Sequence, residues 1–331
     1  MMAGENKWAF YCFIALAGLL PIGCGQGGED TSVEDFPDRP VTIICPWAAG
    51  GGTDTASRIT AEGLHQVLGT RVNVVNQTGG AGVAGHSAGA KAKPDGYTLT
   101  MITAELNMMH WRGLTDIGPR DFEPIMIMNK ICASIFVRED SPWKTMTDLR
   151  QAIKDNPGKL TASGTAKGGI WHLACAAWLI AGGLEPDDLI WVPSKGAAPA
   201  LQQLISEGID VVFCAPAEGK SLIDSGKARL LAVFSDVRSP VFPDVPTCIE
   251  QGVDVEIYGW AGIAAPVGTP LEIRSKLESA LQRVAASEDF RTRMNNSGFL
   301  VATENSERFR EILARDDIRF GKLLKDAGIT Q

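Results

Sequence analysis

The run VTIICPWAAGGGTDTASRITAEGLHQVLG, Val41 to Gly69, decides the fold. VTIIC (41–45) is a short apolar, β-branched segment with the character of a buried strand. DTASRITAEGLHQVLG (54–69) carries apolar residues at helical spacing and stops at Gly69, a helix C-terminal residue. Between them stand Pro46, Trp47 and three consecutive glycines, Gly50, Gly51 and Gly52. Glycine loses the most backbone entropy on folding, so a run of three needs a reason. On its own the stretch fits two readings. One is a plain tight turn with a helix N-cap. The other is a nest of inward-pointing N–H groups beside the positive end of a helix dipole, which receives a carboxylate or phosphate.

Outward from this run the alternation continues. VNVVN (72–76) is predicted as a strand, GHSAGAKAK (85–93) as a helix and YTLTMIT (97–103) as a strand. Short βαβαβ connections imply a parallel sheet with right-handed crossovers. EPIMIM and ASIFVRE read as strands flanking Asn129 to Cys132. A second series follows: helix 145–154, strand 160–163, helix 170–181, strand 189–193, helix 197–207, strand 209–214, helix 217–225 and strand 229–235. Beyond a proline-rich stretch come VEIYGWAGIAAP and helical segments from Thr269 to Ala327. Two α/β units joined by more than one crossing form a cleft between two lobes. The expected division is lobe 1 over 36–134 plus 257–331 and lobe 2 over 135–256.

The chain has 331 residues, 45% of them hydrophobic and 21% charged, which is globular composition with length for two domains. A formal net charge of −8 argues against nucleic acid and anionic membrane as partners, since both require a basic footprint. It leaves room for a small anion held by local backbone dipoles. Residues 1–23 read as an export signal: Lys7 precedes the apolar run Trp8 to Leu20, too short to span a bilayer. Gly23 before Cys24 resembles a bacterial lipobox, with Pro21 where leucine is usual. Lipidation of Cys24 is the expectation, with ordinary cleavage and an uncleaved anchor as alternatives. Residues 24–35 read as a flexible polar tether. Among the seven cysteines, Cys45, Cys132, Cys175, Cys214 and Cys248 are scattered in apolar surroundings and are expected as buried free thiols.

GAGVAG, Gly80 to Gly85, matches GxGxxG and has Glu105 twenty residues beyond it. The connection from strand 72–76 is too long for the dinucleotide turn, and the motif follows the second strand rather than the first. A glycine-rich turn opening a helix is the preferred reading. TASGTAKGGIWHLA (161–174) repeats the strand–loop–helix pattern: Ser163, Thr165 and the N–H groups around Gly168 and Gly169 could bind an anion or hydroxyl. Lys167 adds a charge or is simply solvated. PSKGAAPAL (193–201) places Ser194, Lys195 and Gly196 before another helix. Three such junctions, rich in donors and poor in acids, describe an anion held between lobes. His65, His86, His110 and His172 stand singly, and there is no HExxH, CxxC or GxSxG, so neither a metal site, a cofactor nor a catalytic centre is expected. Trp47 and Trp260 adjoin glycine-rich turns and are expected to line the cleft.

These motifs resemble the Bug or TctC-like extracytoplasmic solute receptors of tripartite tricarboxylate transporters. FPDRPVTIICPWAAGGGTD, PDGYTLT (94–100), PGKLTASGTAKGGIWHL (157–173), VPSKGAAPAL (192–201), GKARLLAVFSDVRSPVFPDVPTCIEQG (226–252) and WAGIAAPVGTP (260–270) follow the family's motifs in order. The resemblance implies a type II periplasmic-binding-protein fold, two α/β lobes closing on one small carboxylate. It implies a periplasmic receptor that is not an enzyme and serves small and large transmembrane subunits; an exported sensor or binding protein without a permease and an exported hydrolase are the alternatives, and a monomer is expected. The family's ligand loops map onto Trp47, Ala48, Ala49, Gly50, Gly51, Gly52, Thr53 and Asp54, onto Ser163, Gly164, Thr165, Lys167, Gly168 and Gly169, and onto Ser194, Lys195 and Gly196. Ser194 stands where the family usually has tyrosine, and Cys214 where it often has aspartate or asparagine. If these side chains face the cleft, the loss of the acid disfavours a ligand ammonium, and Lys167 suits a second carboxylate.

Overall fold

A computed structural model describes residues 35–239, 241–299 and 301–330. The export segment, Cys24 and the tether to residue 34 lie outside them. The first half runs β1 (Val41–Cys45), α1 (Gly52–Leu68), β2 (Val72–Asn76), α2 (Val83–Ala90), β3 (Thr98–Thr103), α3 (Leu106–Met109) and β4 (Phe122–Cys132). The second runs β5 (Ser134–Arg138), α4 (Met146–Asp155), β6 (Leu160–Ser163), α5 (Ile170–Ala181), β7 (Leu189–Trp191), α6 (Ala197–Ile205), β8 (Val211–Cys214), α7 (Lys220–Asp224) and β9 (Ala228–Val233). The chain then adds β10 (Tyr258–Pro266), α8 (Leu271–Ala286), α9 (Glu288–Asn296) and α10 (Ser306–Asp326).

Two five-stranded sheets result, ordered β2-β1-β3-β10-β4 and β7-β6-β8-β5-β9. β1 pairs in parallel with both β2 and β3, as the βαβαβ pattern requires. Its burial on both faces explains the continuous apolar run, whereas the edge strand β2 alternates, with Asn73 exposed. The first sheet is not wholly parallel, because β10 enters between β3 and β4 and runs antiparallel to both. The second sheet has the same character: β6 is parallel to β7 and β8, while β5 is antiparallel to β8 and β9. The chain passes between sheets at Ala133 and again between β9 and β10.

Asn129 to Cys132, expected to interrupt two strands, continue β4 instead. Tyr258, Gly259 and Trp260 pair with Cys132, Ile131 and Lys130, and Lys130 meets Glu304 at 2.8 Å. The ladder and the ion pair satisfy polar residues that local propensity assigns to a loop. Helix ends follow the sequence closely. Gly69 closes α1 in the left-handed conformation (φ 71°), and Thr145 and Asp148 form a reciprocal capping box on α4. Trp178, Phe213 and Phe234 lie fully buried in the second half, and Ile43, Leu64 and Leu99 in the first. No helix among the described residues is long and apolar enough to cross a membrane.

Candidate ligand-binding site

The loop from Pro46 to Gly51 follows β1 at its carboxyl end, where open α/β sheets receive ligands. Ala48, Ala49, Gly50 and Gly51 are exposed, while Trp47, Gly52 and Thr53 are half-buried. Helix α1 begins at Gly52 with no side-chain cap, so the leading N–H groups of Gly52, Thr53 and Asp54 lack intrahelical acceptors beneath an open loop. Gly50 has φ 78°, a conformation a side chain resists. At Gly52 a Cβ would sit 3.5 Å from the Phe299 ring, in ordinary contact.

Asp54 keeps its carboxylate off the loop's open side. It is 3% exposed and accepts hydrogen bonds from the Gly50 N–H at 2.8 Å, Arg58 Nε at 3.0 Å and Asn76 Nδ2 at 2.8 Å. Burial alone would raise its pKa, but the hydrogen bonds from Arg58, Gly50 and Asn76 outweigh that and hold it below the usual carboxylate range. Asn76 also donates to the Trp47 carbonyl at 2.9 Å. The acid is the loop's internal brace.

Trp47 donates its indole N–H to Thr103 Oγ1 at 3.2 Å. Its ring packs over GAGVAG, where a Cβ on Gly82 would lie 3.2 Å from it. A Cβ on Gly85 would lie 2.5 Å from Pro46 Cα, so these glycines let α2 approach the loop. His86 completes the support. Its Nδ1 lies 2.8 Å from the Gly82 carbonyl and its Nε2 accepts the Thr103 N–H at 3.2 Å, which assigns the proton to Nδ1. Burial pushes its pKa down to about 4, and the Gly82 carbonyl offsets this only in part. The fingerprint-like motif is a structural mount.

In the second half, most donors proposed from sequence are already spent. Ser163 is fully buried and its Oγ donates to the Val192 carbonyl at 2.7 Å. Gly164 is a packing position, since a Cβ would meet the Phe213 carbonyl at 2.2 Å. The Gly168 N–H donates to His172 Nδ1 at 2.8 Å, and the Gly169 N–H to the Ala166 carbonyl at 3.0 Å. Ser194 Oγ donates to the Gly196 carbonyl at 2.9 Å. Cys214 is fully buried, so its thiol is not exposed to solvent. Desolvation raises its pKa well above the usual value. Trp260 is also core: it is 4% exposed and donates to Asp316 at 3.0 Å. What remains open is Thr165 Oγ1, buried without a hydrogen-bond partner, the uncapped start of α6 after Gly196, and the exposed side chains of Lys167 and Lys195.

Sequence reasoning missed Glu105 and Arg112, which join the two halves. Arg112 donates to the Lys167 carbonyl at 2.7 Å. Glu105 accepts from Thr103 Oγ1 at 2.6 Å, and its carboxylate faces the N–H of Ile170, the first residue of α5. Burial raises the Glu105 pKa, while Thr103, the Ile170 N–H and Arg112 pull it down in part. The signal available was an acid two residues beyond a buried strand, on the same sheet end as the glycine loop. Among the described residues, no group of three His, Cys, Asp or Glu side chains is disposed to hold a metal ion. A cavity of about 290 Å³ adjoins Phe299, between Lys130–Cys132 and Pro216–Ala217. A larger one of about 600 Å³ borders the His110–Asp317 pair and none of these loops.

Two mixed five-stranded α/β sheets, between which the chain crosses more than once, define a periplasmic-binding-protein fold of two lobes. The family model described as "Tripartite tricarboxylate transporter family receptor" matches residues 56–329, and the chain belongs to that family of solute-binding receptors. It is similar to a TctC solute-binding protein from Polaromonas, without ligand, at 33% identity and TM-score 0.74, covering 88% of this chain and 99% of that one. It is similar to MatC from Rhodopseudomonas palustris with bound malate, at 25% identity and TM-score 0.76, covering 87% and 100%. A further R. palustris protein, with adipate, is 27% identical with TM-score 0.78, covering 89% and 99%.

Proposed function

We propose that this protein captures a small organic carboxylate between its lobes and hands it to the small and large transmembrane subunits of a tripartite tricarboxylate-type transporter. One observation carries the reading: the unpaired N–H groups of Gly52, Thr53 and Asp54 lie under an exposed, glycine-rich loop. Such a set binds a carboxylate with preformed dipoles and without a counter-ion side chain. The malate and adipate bound by two similar proteins support the ligand class. The Trp47 ring forms one wall, and the partnerless Thr165 Oγ1 and the start of α6 receive the ligand from the second lobe.

A ligand touching both lobes binds the closed form better than the open one, so it shifts the population toward closure. The lobes are residues 36–134 with 257–331, and residues 135–256. The protein works outside the cytoplasm as a receptor rather than a catalyst, tethered through acylated Cys24. Mass spectrometry of ligand released from gently purified, denatured protein tests the ligand class; a stoichiometric carboxylate is expected, and a bound sugar or neutral peptide would refute it. Intact mass of the membrane fraction reads the acyl groups on Cys24.

A further inference from the structure

The carboxylate of Glu105 ties the end of the first sheet's β3 to the start of a helix in the second half. It leaves the first sheet two residues after β3, is held by Thr103 Oγ1 at 2.6 Å, and points its charge at the Ile170 N–H that opens α5 in the second half. Helix α5 has no side-chain cap of its own at Gly169. The neighbouring N–H groups of Gly168 and Gly169 are taken by His172 and Ala166. The positive end of this helix dipole is therefore already neutralised by the protein's own acid. The same Thr103 hydroxyl accepts the Trp47 indole N–H, so this one hydroxyl links Glu105 to the wall of the first loop.

We infer that Glu105 is a specificity-determining residue that excludes a second ligand carboxylate, so the cleft takes monocarboxylates whose far end is neutral or cationic. The assignment rests on the carboxylate reading of the first loop and sets this chain apart from the malate- and adipate-bound proteins it is similar to. A second anion would meet the Glu105 charge across a desolvated space, where like charges repel strongly. A ligand hydroxyl or ammonium would instead find in Glu105 an acceptor already oriented by Thr103. Arg112 does not reverse this balance. It is engaged with the Lys167 carbonyl, and its charge is partly offset by Glu105 itself.

The test is calorimetry at pH 7 with three probes of matched length, hexanoate, adipate and 6-aminohexanoate, on the full mature chain. Wild type is expected to bind hexanoate and 6-aminohexanoate at least tenfold more tightly than adipate. Glu105→Gln should move the adipate-to-hexanoate ratio at least tenfold toward adipate and erase the advantage of 6-aminohexanoate. Thr103→Val, which removes the hydroxyl that fixes the acid, should move the ratio the same way by a smaller factor. Adipate binding wild type as well as hexanoate does would overturn the assignment, whether or not the variants fold. So would an unchanged ratio in folded Glu105→Gln. If none of the three probes binds wild type or variant, the carboxylate reading of the first loop falls and this assignment with it. If all three bind wild type equally, the assignment alone falls.

Discussion

The Asp54 carboxylate accepts the Gly50 N–H at 2.8 Å, closing the glycine loop onto the first turn of the helix it precedes. Arg58 and Asn76 hold the same carboxylate, so one acid fixes both the loop and the end of β2. The loop that presents open N–H groups is thus shaped by a residue that offers its own charge inward.

Asp54→Ala should cost about 1–3 kcal/mol, because it leaves buried donors without their charged acceptor. The folded-state pKa is depressed, so the stabilisation is present above the usual aspartate value and is lost as pH falls through the lower, folded one. Urea melts of wild type and variant at pH 7 check the size. Carboxylate affinity should fall with it, since the nest loses its frame.

Gly85→Ala tests GAGVAG as a mount. Its Cβ would stand 2.5 Å from Pro46 Cα and 2.7 Å from the Gln77 carbonyl, both backbone, so α2 must shift from the loop. A loss of about 1–3 kcal/mol in thermal or chemical melts is expected from overpacking. Nicotinamide or adenine dinucleotides should change the melting temperature of neither protein.

His86 sets an acid limit. Its folded pKa is about 4 against 6.5 unfolded, so between those values the unfolded chain binds more protons and stability falls as pH falls. Between pH 7 and pH 5 this amounts to about 2 kcal/mol by proton linkage. His86→Leu should be less stable than wild type at pH 7, and the gap should narrow toward pH 5 by about that amount. A constant gap in urea melts at the two pH values would show that His86 is not held neutral.

Cys45, Cys132, Cys175, Cys214 and Cys248 are buried and free. Burial raises the pKa of each, Cys132 to about 11, so little thiolate forms at neutral pH. Iodoacetamide on the native protein should label none of the five within the time that labels all five in urea. Dithiothreitol should leave the melting temperature unchanged.

Much of this architecture was legible because it is local. The strand at 41–45, the helix ending at Gly69 and the glycine loop between them follow from β-branching, helical spacing and a C-terminal glycine. The antiparallel insertion of β10 was not legible, because nothing in VEIYGWAGIAAP states which distant strand it pairs with. At the site, sequence identified the residues with donor chemistry but not which donors were spent. Ser163 and Ser194 satisfy neighbouring carbonyls, and the Gly168 N–H meets a histidine four residues on. The acid that matters, Glu105, was visible only as the tail of a nucleotide motif. Its meaning comes from α5, brought to it from the other sheet.

The most direct measurement is titration calorimetry of small carboxylates against wild type and Gly51→Leu. Gly51 has an ordinary backbone conformation, and its Cβ would meet only the Ala48 carbonyl at 3.3 Å, so the variant should fold with leucine lying over the open N–H groups of α1. One carboxylate per wild-type molecule is expected, with at least a hundredfold weaker binding to the folded variant. Equal affinity for both proteins would contradict this expectation.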